Sequence, residues 1–109
     1  MLITGAASGL GKATSLLFSN EGWNVVATDL HKKVPAELSN MNILEYFRMD
    51  VSDHNSLQEV FEEMQQRELK PKVIINSAGI YQLYPIAESD PDTLNELFEI
   101  NTFGQLNIV

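Results

Sequence analysis

Near its start the chain reads Thr4-Gly5-Ala6-Ala7-Ser8-Gly9-Leu10-Gly11, a small-residue run between an apolar stretch and a helical one. Such a turn leads into a helix N-terminus, where backbone N–H groups lack intrahelical partners and the helix dipole is positive. The matching ligand is an anion, and a pyrophosphate meets the requirement. Gly5 and Gly9 keep side chains out of the approach path and allow positive φ, while Gly11 lets the helix pack closely on the strand. Ser8 and Leu10 complete the loop that would face the phosphates.

Asp29 ends the next predicted strand. A carboxylate there can accept hydrogen bonds from both ribose hydroxyls of an adenosine, and it repels a 2′-phosphate. Leu30 follows it where an Arg would serve a 2′-phosphate; His31 and Lys32 are the nearest cationic candidates. Turn and acid together predict a dinucleotide, NAD in preference to NADP. The bland alternative is a tight turn with an ordinary loop carboxylate. A phosphotransferase loop is a poorer match, because Ala6 and Ala13 stand where that motif needs Gly and a hydroxyl.

Further candidates follow the later strands. Asp50 closes the third strand at the carboxyl edge, where ligands of open α/β sheets bind, or else it caps the next helix. Asn76 closes the fourth strand and can tie neighbouring loops together. Ala78 and Gly79 leave room for a ribose, or form a plain turn. Asn101 falls at helical spacing from Leu94 and Phe98, which predicts a place on their apolar face and a hydrogen-bonded, buried amide.

These residues need a scaffold. Leu2–Thr4 reads as the end of a buried strand. Lys12–Asn20 reads as a helix with Ala13, Leu16 and Leu17 as its apolar stripe and Gly22 as its stop. Residues 24–28 form a second strand, residues 30–42 a loop or broken helix, and Glu45–Met49 a third strand. Ser52 or Asp53 caps a helix whose Leu57, Val60, Phe61 and Met64 share one face. Val73–Ile75 is a continuous apolar run, expected of a strand buried on both faces. Pro91 and Asp92 open a last helix that runs to about the chain end. Alternation of this kind predicts one α/β domain, residues 1–109: a partial doubly wound parallel sheet of Rossmann type, strand order 3-2-1-4.

Composition narrows the partners. The net charge is -8 over 109 residues, which opposes nucleic-acid binding. There are no cysteines and two histidines, His31 and His54, both expected in loops, so no metal site is predicted. No apolar run approaches the roughly 20 residues that span a bilayer, so no membrane partner is expected. No signal peptide is visible, and a cytoplasmic location is the expectation.

The glycine spacing G-x-x-x-G-x-G departs from the usual dinucleotide fingerprint and resembles that of the short-chain dehydrogenase/reductase family, T-G-x-x-x-G-x-G, at Thr4, Gly5, Gly9 and Gly11. Asp50-Val51 resembles the family's adenine-contacting pair. Asn76-Ser77-Ala78-Gly79 resembles its N-N-A-G, with Ser77 in place of the second Asn. Asn101 resembles the Asn of its active-site tetrad, which implies a proton-relay role; a satisfied structural Asn is the competing reading.

The resemblance implies an NAD(H)-binding oxidoreductase that interconverts an alcohol and a carbonyl. The family's Ser and Tyr-x-x-x-Lys are not found: Asp50, Pro85 and Glu88 stand four residues after Tyr46, Tyr81 and Tyr84. The expectation is therefore a chain truncated before the catalytic half and inactive alone, or a catalytically silent binding module. A small-molecule substrate is implied only if that half is present. Its uncovered edge strand predicts self-association.

Overall fold

Val25–Asp29 (β2) is buried at every position and lies inside a parallel sheet. In the computed structural model, which describes residues 1–83 and 85–109, the sheet contains Leu2–Ile3 (β1), β2, Ile43–Arg48 (β3) and Ile74–Ile75 (β4). Their order is β3-β2-β1-β4, as expected. Tyr84, one of the three tyrosines considered above, lies outside the described residues.

Side chains alternate across a strand, so β2 serves two layers. Val26 faces Leu2, Phe47 and Met49, together with Leu57, Val60 and Met64 of the helix His54–Gln66 (α3). Val25 and Ala27 face the opposite layer. Val25 packs with Met1 and Ile3, while Ala27 packs with Ala6 and Leu38. That layer holds the helix Gly9–Asn20 (α1) and the short helix Ala36–Ser39 (α2). Leu57, Val60 and Met64 are buried as their spacing predicted, and Asp53 caps α3 by accepting from the Asn55 N–H. His54 is the first residue of α3 and not a loop residue.

Helix α1 departs from its predicted stripe. Ala13 and Leu17 are exposed, and the buried residues are Gly11, Ser15 and Ser19. A small-residue face lets the helix axis approach the sheet closely. The Ser15 hydroxyl meets its own polar requirement by donating to the Gly11 carbonyl at 2.8 Å. Gly22, at φ +83°, ends the helix region as expected.

Strand β4 is shorter and less covered than the apolar run suggested. Ile74 is 40% exposed and Val73 39%, so the strand is not buried on both faces. It pairs with β1 and forms an edge of the sheet.

The last helical region is Pro91–Phe98 (α4), a wider π-helical turn at Glu99–Phe103, and Gly104–Asn107 (α5). Asp90 caps α4, accepting from the Thr93 N–H at 2.9 Å. Gly104 touches Val51: a Cβ there would stand 2.7 Å from Val51 Cγ2. Leu94 and Phe98 remain exposed, so the face they share with Asn101 in an ideal helix is not buried among the described residues.

Candidate functional site

The glycine-rich turn follows β1 and is tied to both neighbouring strands. The Ala6 N–H donates to the Thr28 carbonyl at 3.0 Å, and the Ala7 N–H donates to Asp29 Oδ2 at 2.8 Å. On the other side, Thr4 Oγ1 accepts from the Ser77 and Ala78 N–H groups, both at 3.0 Å. Thus the ends of β1, β2 and β4 are held together by one turn.

Two glycines are demanded by contact. Gly5 sits at φ +65°, and a Cβ there would lie 2.7 Å from the Ala78 backbone nitrogen. A Cβ on Gly11 would lie 2.1 Å from the Gly5 carbonyl oxygen. Gly9, at φ +51°, faces open space, so its requirement is conformational. Ser8 occupies the N-cap of α1, yet its side chain makes no capping hydrogen bond. The first amides of α1 are therefore left without the acceptor an N-cap serine ordinarily supplies. That cradle fits an anion.

Asp29 is 8% exposed and bound through both oxygens. Oδ2 accepts from Ala7; Oδ1 accepts from the His31 N–H at 3.0 Å and lies 2.7 Å from His31 Nδ1. Burial pushes the carboxyl pKa up, but the hydrogen bonds from His31 and Ala7 outweigh it and hold the group below its ordinary value. Tyr46 on β3 donates to the His31 carbonyl at 2.9 Å. Its phenol is pushed up to about 12 by burial and by the charge of Asp29, so it remains a neutral donor.

Asp50 uses Oδ1 to accept from the Ser52 N–H and hydroxyl, at 3.0 and 2.6 Å. It closes a local turn while Asp53 caps α3. Asn76 is exposed and donates to the Gln105 carbonyl at 3.2 Å, linking β4 to α5. Asn101 stands in the π-helical turn, exposed and not on a buried face as its spacing implied. The wider turn alters the helical phase on which that expectation rested. Its amide is nonetheless satisfied: Oδ1 accepts from the Ile80 N–H and Nδ2 donates to the Ile80 carbonyl, both at 2.8 Å.

One cleft of about 460 Å³ joins these parts. Gly5, Ser8, Gly9, Leu10, Asp29, Asp50, Val51, Ala78 and Gly79 line it, with Met49, Ile80, Tyr81 and Ile100 among the apolar walls. Gly11, Asn76 and Asn101 do not line it: Gly11 packs against Gly5, Asn76 bonds Gln105 and Asn101 bonds Ile80. Thr4 and His31 were not singled out as site residues by the sequence. Thr4 does lie in the quoted motif, and His31 lies two residues after the acid.

A model of the family described as short chain dehydrogenase matches residues 1–109. The chain belongs to the short-chain dehydrogenase/reductase family. It is 36% identical to the probable short-chain type dehydrogenase/reductase VdlC of Helicobacter pylori, over 99% of this chain and 40% of that protein. It is 32% identical to the 3-oxoacyl-[acyl-carrier-protein] reductase FabG of Thermotoga maritima, over 98% of this chain and 46% of that one. The chain thus spans less than half the length of these curated relatives.

Solved structures share the backbone. A short-chain dehydrogenase/reductase from Vibrio parahaemolyticus superposes with a TM-score of 0.82 at 28% identity, covering 98% of this chain and 50% of that one. A 4-hydroxyisoleucine dehydrogenase complexed with NADH has the same fold, with a TM-score of 0.82 at 23% identity over 98% of this chain and 44% of that one. In the short-chain dehydrogenase/reductase fold seen here, the glycine turn, Asp29 and the β4 loop meet at the carboxyl edge of the sheet.

Proposed function

We propose that this chain forms the NAD(H)-binding part of an oxidoreductase that interconverts an alcohol and a carbonyl. The observation that carries the reading is the 2.8 Å bond between Ala7 of the glycine turn and Asp29, which makes cradle and acid two ends of one cleft. The first amides of α1 bind the diphosphate. Asp29 receives the adenosine ribose and disfavours a 2′-phosphate. Asp50 and Val51 border the adenine, and Ala78 and Gly79 give backbone clearance for the second ribose. When bound, the nicotinamide supplies or accepts the hydride.

Asn101 holds the β4 loop through Ile80 and is assigned to the tetrad by its motif. These 109 residues contain no Tyr-x-x-x-Lys, so turnover would need that pair from outside them. A second reading is a silent dinucleotide-binding module. Exposed Val73 and Ile74 on the edge strand and Phe98 and Leu106 on the last helices support self-association, which sedimentation at micromolar concentration tests.

Calorimetric titration with NADH and NADPH, on wild type and Asp29→Ala, tests the cofactor reading. NADH binds more tightly, and Asp29→Ala weakens it roughly tenfold or more while changing NADPH less, because hydrogen bonds to a charged acceptor are lost. Equal losses for both cofactors would remove Asp29 from the ribose site. NADH binding without turnover of any alcohol or carbonyl would favour the silent module.

A further inference from the structure

Asp29 is already crowded. An ionised carboxylate offers about four lone-pair sites. Three are engaged: one by the Ala7 N–H, and two on Oδ1 by the His31 N–H and the His31 ring. A ribose diol that engages both oxygens must therefore displace the His31 imidazole from Oδ1. The ring can move, since its side chain is 75% exposed, and its Nδ1 carries the proton when it bonds the carboxylate.

We propose that His31 sets how strictly Asp29 discriminates between the two dinucleotides, its imidazolium form relaxing the preference for NADH. This rests on the cofactor reading above. The sign is the same by two routes. A protonated ring holds Oδ1 more strongly and so competes better with a ribose hydroxyl. It also places a cation where a 2′-phosphate would otherwise meet only the Asp29 charge.

Other charged or titratable groups share this corner. Asp29 on β2 is held low, and Tyr46 on β3 is pushed to about 12. Arg48 on β3 donates to the Leu30 carbonyl at 3.2 Å. Lys12 on α1 is paired with Glu37 on α2 at 2.8 Å, and that pairing holds the Glu37 carboxyl below its ordinary value. Lys32 and Lys33 follow in the same loop and are exposed cations, and Asp50 lines the far wall of the cleft. Histidine is the side chain whose ordinary titration falls between pH 5 and 8.

The test is direct binding of NADH and NADPH to the intact protein at pH about 8 and about 6, for wild type, His31→Gln and His31→Ala. The NADPH-to-NADH ratio of Kd values is expected to fall on acidification by roughly fivefold more in wild type than in either variant, the scale of an exposed charge pair. The 2′-phosphate's own titration enters all three proteins equally and cancels in that comparison. Tight NADH binding with the same pH response in all three would overturn the role of His31 alone. Binding of neither dinucleotide at either pH would overturn the cofactor reading, and this proposal with it.

Discussion

Asn101 and Ile80 exchange a reciprocal pair of hydrogen bonds, each 2.8 Å long, between one side-chain amide and one residue's backbone. The side chain acts as a strand partner would, giving the loop after β4 a donor and an acceptor where no strand among the described residues pairs with it. Gly79 leaves room for the approach, since a Cβ there would stand 3.1 Å from Asn101 Oδ1 and the amide would have to shift by a few tenths of an ångström. The π-helical turn therefore positions a cleft wall, with Ile80 and Ile100 both lining the cleft.

Removing that amide should loosen the loop before it unfolds the domain. Asn101→Ala loses two exposed hydrogen bonds, together about 1–2 kcal/mol of local stability. Asn101→Asp keeps the acceptor for the Ile80 N–H but sets a carboxylate oxygen against the Ile80 carbonyl, so it should be no better than Ala. Amide hydrogen exchange reads the effect: Ile80 protection falls in both variants while that of Val26 and Leu57 holds. Equal losses across all three amides would show a global effect.

Gly5 and Gly9 share a left-handed backbone but differ in surroundings, so their alanine variants should separate. Gly9→Ala meets open space and costs about 1–2 kcal/mol for conformation alone. Gly5→Ala adds a collision with the Ala78 backbone, which Thr4 holds in place. Its cost should exceed that of Gly9→Ala by about 1–3 kcal/mol, the range for overpacking. Denaturant unfolding of the two variants checks the order, and equal midpoints would mean that the β4 loop yields freely.

The glycine turn and Asp29 were legible in sequence because their chemistry depends on local spacing: strand, turn, helix, then an acid at the next strand end. The buried face of α3 was legible because Leu57, Val60 and Met64 are large and apolar. The buried face of α1 was not, since Gly11, Ser15 and Ser19 carry no hydrophobic signal and are chosen for size. The place of Asn101 was missed because one widened turn breaks the periodicity on which a helical face is counted. His31 and Thr4 act through side-chain geometry that spacing alone does not display. Thr4 reaches residues more than seventy positions away, a pairing that exists only after the sheet forms.

Thr4 provides a sharp test of that long-range pairing. Thr4→Val keeps the shape of a buried side chain but leaves the Ser77 and Ala78 N–H groups without their acceptor. Unpaired donors of this kind cost about 1–3 kcal/mol each, so a total loss of about 2–6 kcal/mol is expected. Thr4→Ser keeps the oxygen and should retain most of the stability. If chemical denaturation places Val level with Ser, the hydroxyl is not what anchors the β4 loop.

Asp29 should make stability depend on pH in one direction. Its folded pKa lies below the ordinary 3.8, because hydrogen bonds from His31 and Ala7 overcome the opposing effect of burial. A group depressed on folding contributes fully above its unfolded value, and the contribution disappears as pH falls through the folded value. Asp29→Asn removes this titration and turns an amide N–H₂ toward backbone donors. The wild-type margin over Asp29→Asn should therefore stay level above pH 3.8 and shrink below it. Thermal unfolding of the wild type and Asp29→Asn across that acid range checks the slope. A margin that grew on acidification would mean that burial dominates and that the bonds from Ala7 and His31 do not stabilise the carboxylate.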